Sequence, residues 1–261
     1  MVGAGMREPG SEGLAVSGHS KWHNIKIKKS KVDQQRGKLF SKLAREIIIA
    51  AKEGGGDPSG NMRLRAAVER AREASMPNDN IQRAIQRGAG GAEGAAYEEI
   101  LYEGMAPGGV AVLVRAQTDN KNRTASEIRN IFAKGEGTLG ASVGWLFEQK
   151  GLITVGKASA SEEEVLSKAV EAGAEDVKAT GDEYEITTAP ERFAAVRQAL
   201  EKARYKLTSA EITMVPKSTV PLVGKEAQRV LRLMEALEDH DDVQNVYANF
   251  DIPDEVLEQV G

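Results

Sequence analysis

The chain of 261 residues has no cysteine, which excludes disulfide staples, thiolate metal sites and cysteine nucleophiles. Aromatic side chains make up only 5%, so cores must be filled by Ala, Val, Ile and Leu. Long apolar runs are missing as well. Stretches such as 47–51 and 110–114 fall far short of the roughly 20 residues a membrane-spanning helix needs. The first residues lack the charged start and apolar run of a signal peptide. One Arg against two Glu in residues 1–18 is poor for a mitochondrial transit peptide. The expectation is a cytoplasmic protein with no membrane association.

Enzyme signatures are equally sparse. No G-x-x-x-x-G-K-[ST] phosphate loop is present, nor a G-x-G-x-x-G after a strand. Gly54-Gly55-Gly56 falls between helical segments and reads as a breaker. The pairs Asp241-Asp242 and Glu98-Glu99 are adjacent, and neighbouring strand residues face opposite ways, which disfavours a carboxylate dyad. A nuclease whose carboxylates converge from distant positions leaves no local signature, and nothing in the sequence argues for one. His19 and His23 are spaced like a helical metal pair, but zinc takes three or four ligands. The remaining histidine, His240, is remote, and Lys21 and Lys26 repel a cation. A non-enzymatic protein without cofactor or metal is therefore expected.

What the chain does have is charge segregation. Its net charge of −4 conceals 16 Lys and Arg against 7 Asp and Glu in residues 19–90. Residues 91–261 hold 18 basic against 30 acidic residues. Such asymmetry points to a polyanion-binding part joined to an acidic body. The densest segment carries Lys21, Lys26, Lys28, Lys29, Lys31, Arg36 and Lys38 against the single acid Asp33. Trp22 and His23 lie among them and are suited to stacking on bases or sugars. Lys31, Lys38, Lys42 and Arg45 are spaced by seven, four and three residues, forming a stripe away from the Leu43/Ile47 face. A row of cations on a rigid helix neutralises several phosphates at once. The nucleic-acid contacts expected are His19, Lys21, Trp22, Lys26, Lys28, Lys29, Lys31, Arg36, Lys38, Lys42 and Arg45. The polar loop 118–124 precedes a helix and has the makings of an anion site, which adds Lys121 and Arg123. Turn and capping chemistry explains the same loop equally well.

The length suits two or three domains. Residues 1–18 lack periodicity and are expected to be disordered. A start at a GUG codon, read here as Val16, would leave residues 1–15 outside the native protein. Residues 19–94 form a basic helical domain, with apolar residues at helical spacing over 32–52, a second helix opened by Asp57-Pro58-Ser59, and a third from about Asp79, capped by Gly88. The period then changes to strands at 97–103 and 110–117, and a capping box Thr124-Ala125-Ser126-Glu127 opens a helix. A strand over 143–147 follows. Residues 149–215 read as βαββαβ, the split-βαβ ferredoxin-like pattern. A final helix at 225–237 and strand at 243–250 complete an earlier domain. The predicted class is α+β: an N-terminal helical bundle followed by two ferredoxin-like α/β domains, the third (149–215) inserted into the second (95–148 plus 216–261). No short-turn helix-turn-helix is evident and no dimerisation helix to match a palindrome, which speaks against simple operator reading; a monomer is expected.

Several motifs together resemble one family. Gly18-His-Ser-Lys-Trp-His-Asn-Ile25, Lys28-Lys29, Arg36-Gly37-Lys38-Leu39-Phe40, Met76-Pro77-Asn-Asp-Asn80, Tyr102-Glu103-Gly104 with Pro107-Gly108-Gly109, and the segment Thr118-Asp119-Asn120-Lys121-Asn122-Arg123-Thr124 are similar to the YebC/PmpR family from about Gly18 onward. The resemblance implies three domains, one helical and two α/β, and a DNA-binding transcriptional regulator. Mitochondrial relatives are translational activators, and bacterial members are linked to ribosomes stalled on proline-rich stretches. DNA and ribosomal RNA are both expected targets, with the ribosome a partner in the second case.

Overall fold

The computed structural model describes residues 32–90 and 97–252. The chain divides into two compact units, one of residues 145–219 and the other of the remaining described residues.

The first unit starts with three helices: α1 (Val32–Gly54), α2 (Met62–Glu73) and α3 (Asn78–Ala89). Ile47, Ile48 and Ala51 of α1 are buried with Leu64, Val68 and Ala71 of α2 and Ile81, Ala84 and Ile85 of α3. Asn61 caps α2 by accepting the Leu64 amide at 3.0 Å, later than the expected opening at Asp57-Pro58-Ser59. Those residues form the preceding turn, where Asp57 holds the Ser59 amide at 2.9 Å. Gly88 does not cap α3. A Cβ there would come within 2.3 Å of the Ile48 carbonyl oxygen, so glycine permits α1 and α3 to approach closely.

The same unit continues with β1 (Glu98–Ala106), β2 (Val110–Thr118), α4 (Lys121–Lys134) and β3 (Thr138–Leu139). Gly108, with φ of 75°, turns the chain between β1 and β2. Alternate residues of β2 (Val110, Val112, Val114, Ala116) pack on Ile128 and Phe132 of α4, as strand periodicity requires.

Residues 145–219 contain β4 (Phe147–Gly156), α5 (Glu162–Ala172), β5 (Asp176–Thr180), β6 (Glu183–Thr188), α6 (Phe193–Lys202) and β7 (Leu207–Pro216). Their order β5-β6-β4-β7, antiparallel throughout, is the ferredoxin-like arrangement. Val165, Ala169, Val196 and Leu200 of the helices cover Ile153, Val155, Tyr184 and Ile186 of the sheet.

The chain then returns to the first unit through β8 (Val220–Pro221), α7 (Gly224–Glu238), β9 (Val243–Ala248) and β10 (Phe250–Asp251). The sheet order is β3-β1-β2-β9. The expectation of two ferredoxin-like domains is corrected here. The β1–β2 hairpin holds the centre of this sheet, and only β2–α4–β3 has the split-βαβ form. The α+β class holds for both units, and Val230, Leu231, Met234 and Leu237 of α7 join α4 over the same core.

Two further local expectations fail. The segment 143–147 is not a strand: Gly144–Leu146 makes a short 3-10 turn before β4. Thr124 opens no helix, because Asn120 caps α4 one turn earlier by accepting the Arg123 amide at 3.1 Å. Among the described residues a capping box forms at α5, between Ser161 and Glu164.

Candidate nucleic-acid interface and its acidic counterpart

Residues four and three apart share a helix face, and Lys38, Lys42 and Arg45 of α1 do line one edge. That edge meets the C-terminal end of α7. The last carbonyls of a helix lack intrahelical donors and carry the negative end of its dipole. Lys42 donates to the Glu238 carbonyl at 2.8 Å, and Lys38 to that of Asp239 at 3.2 Å. Arg45 donates to the Asp241 carbonyl. Two carboxylates reinforce the contact: Asp242 lies 3.5 Å from Arg45, and Asp241 lies 3.9 Å from Lys38.

Asp242 is the shared acceptor beneath this edge. Its Oδ2 accepts from Arg123 at 2.9 Å and from the Thr124 hydroxyl at 2.7 Å. Burial opposes the charge of Asp242, but the hydrogen bonds from Thr124 and Arg123 and the guanidiniums of Arg45 and Arg123 outweigh it, holding the carboxyl below its usual range. The anion at the polar loop 118–124 is thus a carboxylate of the chain itself. Asp241 and Asp242 diverge, with side-chain exposures of 70% and 7%, and make no dyad.

His240 completes the corner. The Asp242 amide donates to its Nδ1 at 3.1 Å, so the ring proton sits on Nε2, 2.8 Å from Glu127 Oε2. Among the described residues, Glu127, His240 and Asp242 are a group offering three possible metal-ligand atoms, all within 4.8 Å of one another. Those atoms already have partners, and the guanidiniums of Arg45 and Arg123 reach the same carboxylate.

The surrounding cleft has a volume of about 550 Å³ and includes Tyr97. Arg45 and Arg87 each lie 5.8 Å from the centre of that ring. Lys38, Arg45 and Arg123 face Asp119, Glu127, Asp239, Asp241 and Asp242 across it. Acid outnumbers base in the cleft.

Of the remaining site residues predicted from sequence, His19, Lys21, Trp22, Lys26, Lys28, Lys29 and Lys31 lie outside the described residues. Arg36 is exposed on α1. Lys121 pairs with Glu98, while Arg123 holds Asp119 as well as Asp242. The structure therefore joins Lys38, Arg45 and Arg123 at one cleft and leaves Lys121, at the start of α4, paired with Glu98 of β1. His240, Glu127, Thr124 and Asp242 were not singled out as a group by the sequence. Their contacts span over a hundred residues, and no local signal links them. A second tie between helices and sheet comes from Arg63, bonded at 2.6 Å to both Glu53 and Glu99.

Residues 74–77 join α2 to α3, a four-residue connection of helix-turn-helix length where no such short turn is expected from the sequence. Both helices pack on α1, and α3 exposes Gln82, Arg83, Gln86 and Arg87. Among the described residues no helix is long and apolar enough to cross a membrane.

Comparison with known proteins agrees with this architecture. A crystal structure of a conserved hypothetical protein from Aquifex aeolicus superposes with a TM-score of 0.78 at 55% identity, covering 87% of this chain and 95% of that one. A Dictyoglomus thermophilum protein is 58% identical over 248 residues, covering 94% of this chain and all of its own. A Moorella thermoacetica protein is 59% identical over 250 residues, covering 94% of this chain and 99% of its own. Both are named probable transcriptional regulatory proteins, a regulatory and not an enzymatic name. Residues 20–91 match the model of the TACO1/YebC protein N-terminal domain, and residues 97–250 that of the TACO1/YebC second and third domain. The chain belongs to the TACO1/YebC family.

Proposed function

We propose that this protein is a nucleic-acid-binding regulator of gene expression whose phosphate contacts come from residues 19–90. It acts in the cytoplasm as a monomer and catalyses no reaction. The observation that carries this reading is the charge segregation: 16 basic against 7 acidic residues in 19–90, with the excess of acid elsewhere. Lys28 and Lys29 supply backbone contacts, Lys38, Lys42 and Arg45 extend them along α1, and Trp22 stacks.

DNA is the first target, in keeping with the names of the relatives. Gln and Arg on the exposed face of α3 are side chains suited to base edges, and four residues are a usual helix-turn-helix connection. A second reading, a translation factor seated on ribosomal RNA, is favoured by Trp22 and His23 within a basic segment, which suits unpaired bases.

Ultraviolet crosslinking in the native cells, followed by sequencing of attached DNA and RNA, separates these readings. Promoter DNA enriched over RNA supports transcription control. Ribosomal RNA enriched at discrete positions supports the translational role. Neither rising above background overturns nucleic-acid binding and leaves an adaptor for acidic protein surfaces.

A further inference from the structure

We infer that the acidic turn 238–242 is an internal stand-in for phosphate, which must leave the α1 edge before Lys38, Lys42 and Arg45 grip nucleic acid. This rests on the nucleic-acid reading above.

The turn presents those cations with what a phosphate backbone would present: closely spaced oxygens bearing negative charge. Three are main-chain carbonyls, of Glu238, Asp239 and Asp241, and two belong to the Asp241 and Asp242 carboxylates. Position at the end of α7 adds the negative pole of that helix. Arg45 and Asp242 have side-chain exposures of only 17% and 7%, so a phosphate cannot reach this guanidinium while the contact is closed. The cleft itself holds more acid than base and repels a polyanion from outside. Opening reverses both conditions at once, freeing three cations in a row.

The consequence is a threshold. Nucleic acid binds weakly to the closed form, and the observed affinity is the intrinsic one multiplied by the open fraction. Isolated anions replace one contact and gain little. A strand with regularly spaced phosphates replaces all three and shifts the equilibrium.

The absence of native cysteine makes a clean test available. Arg63→Cys with Glu99→Cys replaces the second tie between helices and sheet, away from the cationic edge. A cleavable bis-methanethiosulfonate reagent then locks the two parts together, and dithiothreitol releases them. Binding of a short fluorescein-labelled single-stranded RNA and of a matching DNA duplex is followed by anisotropy across a salt series. The expected result is affinity about tenfold or more lower in the locked protein, with a log–log salt slope shallower by about 2–3, both restored on release. Equal affinity and slope before and after release overturn the inference and leave nucleic-acid binding intact. Failure of the released protein to bind either probe at low salt overturns both. If the double substitution does not fold, Asp241→Asn is compared with Asp182→Asn, an equal charge change on an exposed residue of the other unit. Asp241→Asn is expected to tighten binding by about twofold more than Asp182→Asn, and equal effects overturn the inference.

Discussion

The cations of residues 145–219 and those of the helical bundle find partners of different kinds. In the former most pairs are local, Lys168 with Glu171, Arg197 with Glu201 and Lys150 with Glu148, while Lys150 also reaches farther along the chain, to Glu175 before β5. In the bundle, Arg63 reaches Glu99 of β1, while Lys38, Lys42 and Arg45 reach the end of α7 and the turn after it. Local pairs on exposed helices contribute little, because water and salt screen them and side-chain entropy opposes them. Pairs that bury a carboxylate between elements far apart in sequence fix how those elements meet. The same residue types thus serve solubility in one region and assembly in the other.

Removing the shared acceptor should have the largest effect. Asp242→Ala leaves Arg45 and the buried Thr124 hydroxyl without their carboxylate, and a loss of about 3 kcal/mol is expected in urea unfolding. Arg45→Ala should cost less, about 1–2 kcal/mol. It should also speed hydrogen exchange over residues 238–242, while exchange in α5 and α6 stays unchanged. A double-mutant cycle between Arg45 and Asp242 should show coupling, since each substitution removes part of the same contact.

Acid probes the same contact without mutation. The carboxyls of Asp242 and Glu99 both titrate below their usual range in the fold. Burial works against each, but Thr124, Arg123 and Arg45 prevail at Asp242, and Gln117, Arg115 and Arg63 at Glu99. A depressed carboxyl stabilises the fold fully above its unfolded pKa, about 4, and that contribution is lost as pH falls through the folded value. The urea midpoint should therefore fall below about pH 4, and fall less steeply in Asp242→Ala. The smallest effects belong to the local pairs: Lys168→Ala and Arg197→Ala should each change stability by less than about 0.5 kcal/mol. A larger loss at either would erase the distinction between the two regions.

Much of the fold was legible because it rests on short periods. The α1 face of Leu43, Ile47 and Ala51, the hairpin turned at Pro107-Gly108-Gly109, and the βαββαβ order of residues 149–215 all follow from spacing and turn chemistry. The misreadings share one cause, which is that distant partners override local pattern. Thr124-Ala125-Ser126-Glu127 has the spacing of a capping box, yet Thr124 bonds Asp242 and Glu127 faces His240. Gly88 resembles a helix stop, yet it serves contact with Ile48 of α1. The cationic stripe was legible as a stripe. Its partner was not, because three of its acceptors are main-chain carbonyls at the end of α7 and in the turn after it, and carbonyls leave no residue signature.

Where nucleic acid touches the chain decides whether residues 19–90 are the binding surface. Crosslinking the purified protein to nucleic acid, followed by mass spectrometry of the attached peptides, measures this. Adducts concentrated in residues 19–90, including peptides that carry Trp22 or Lys38, are the predicted result. Adducts concentrated in residues 145–219, with 19–90 unmarked, would contradict it.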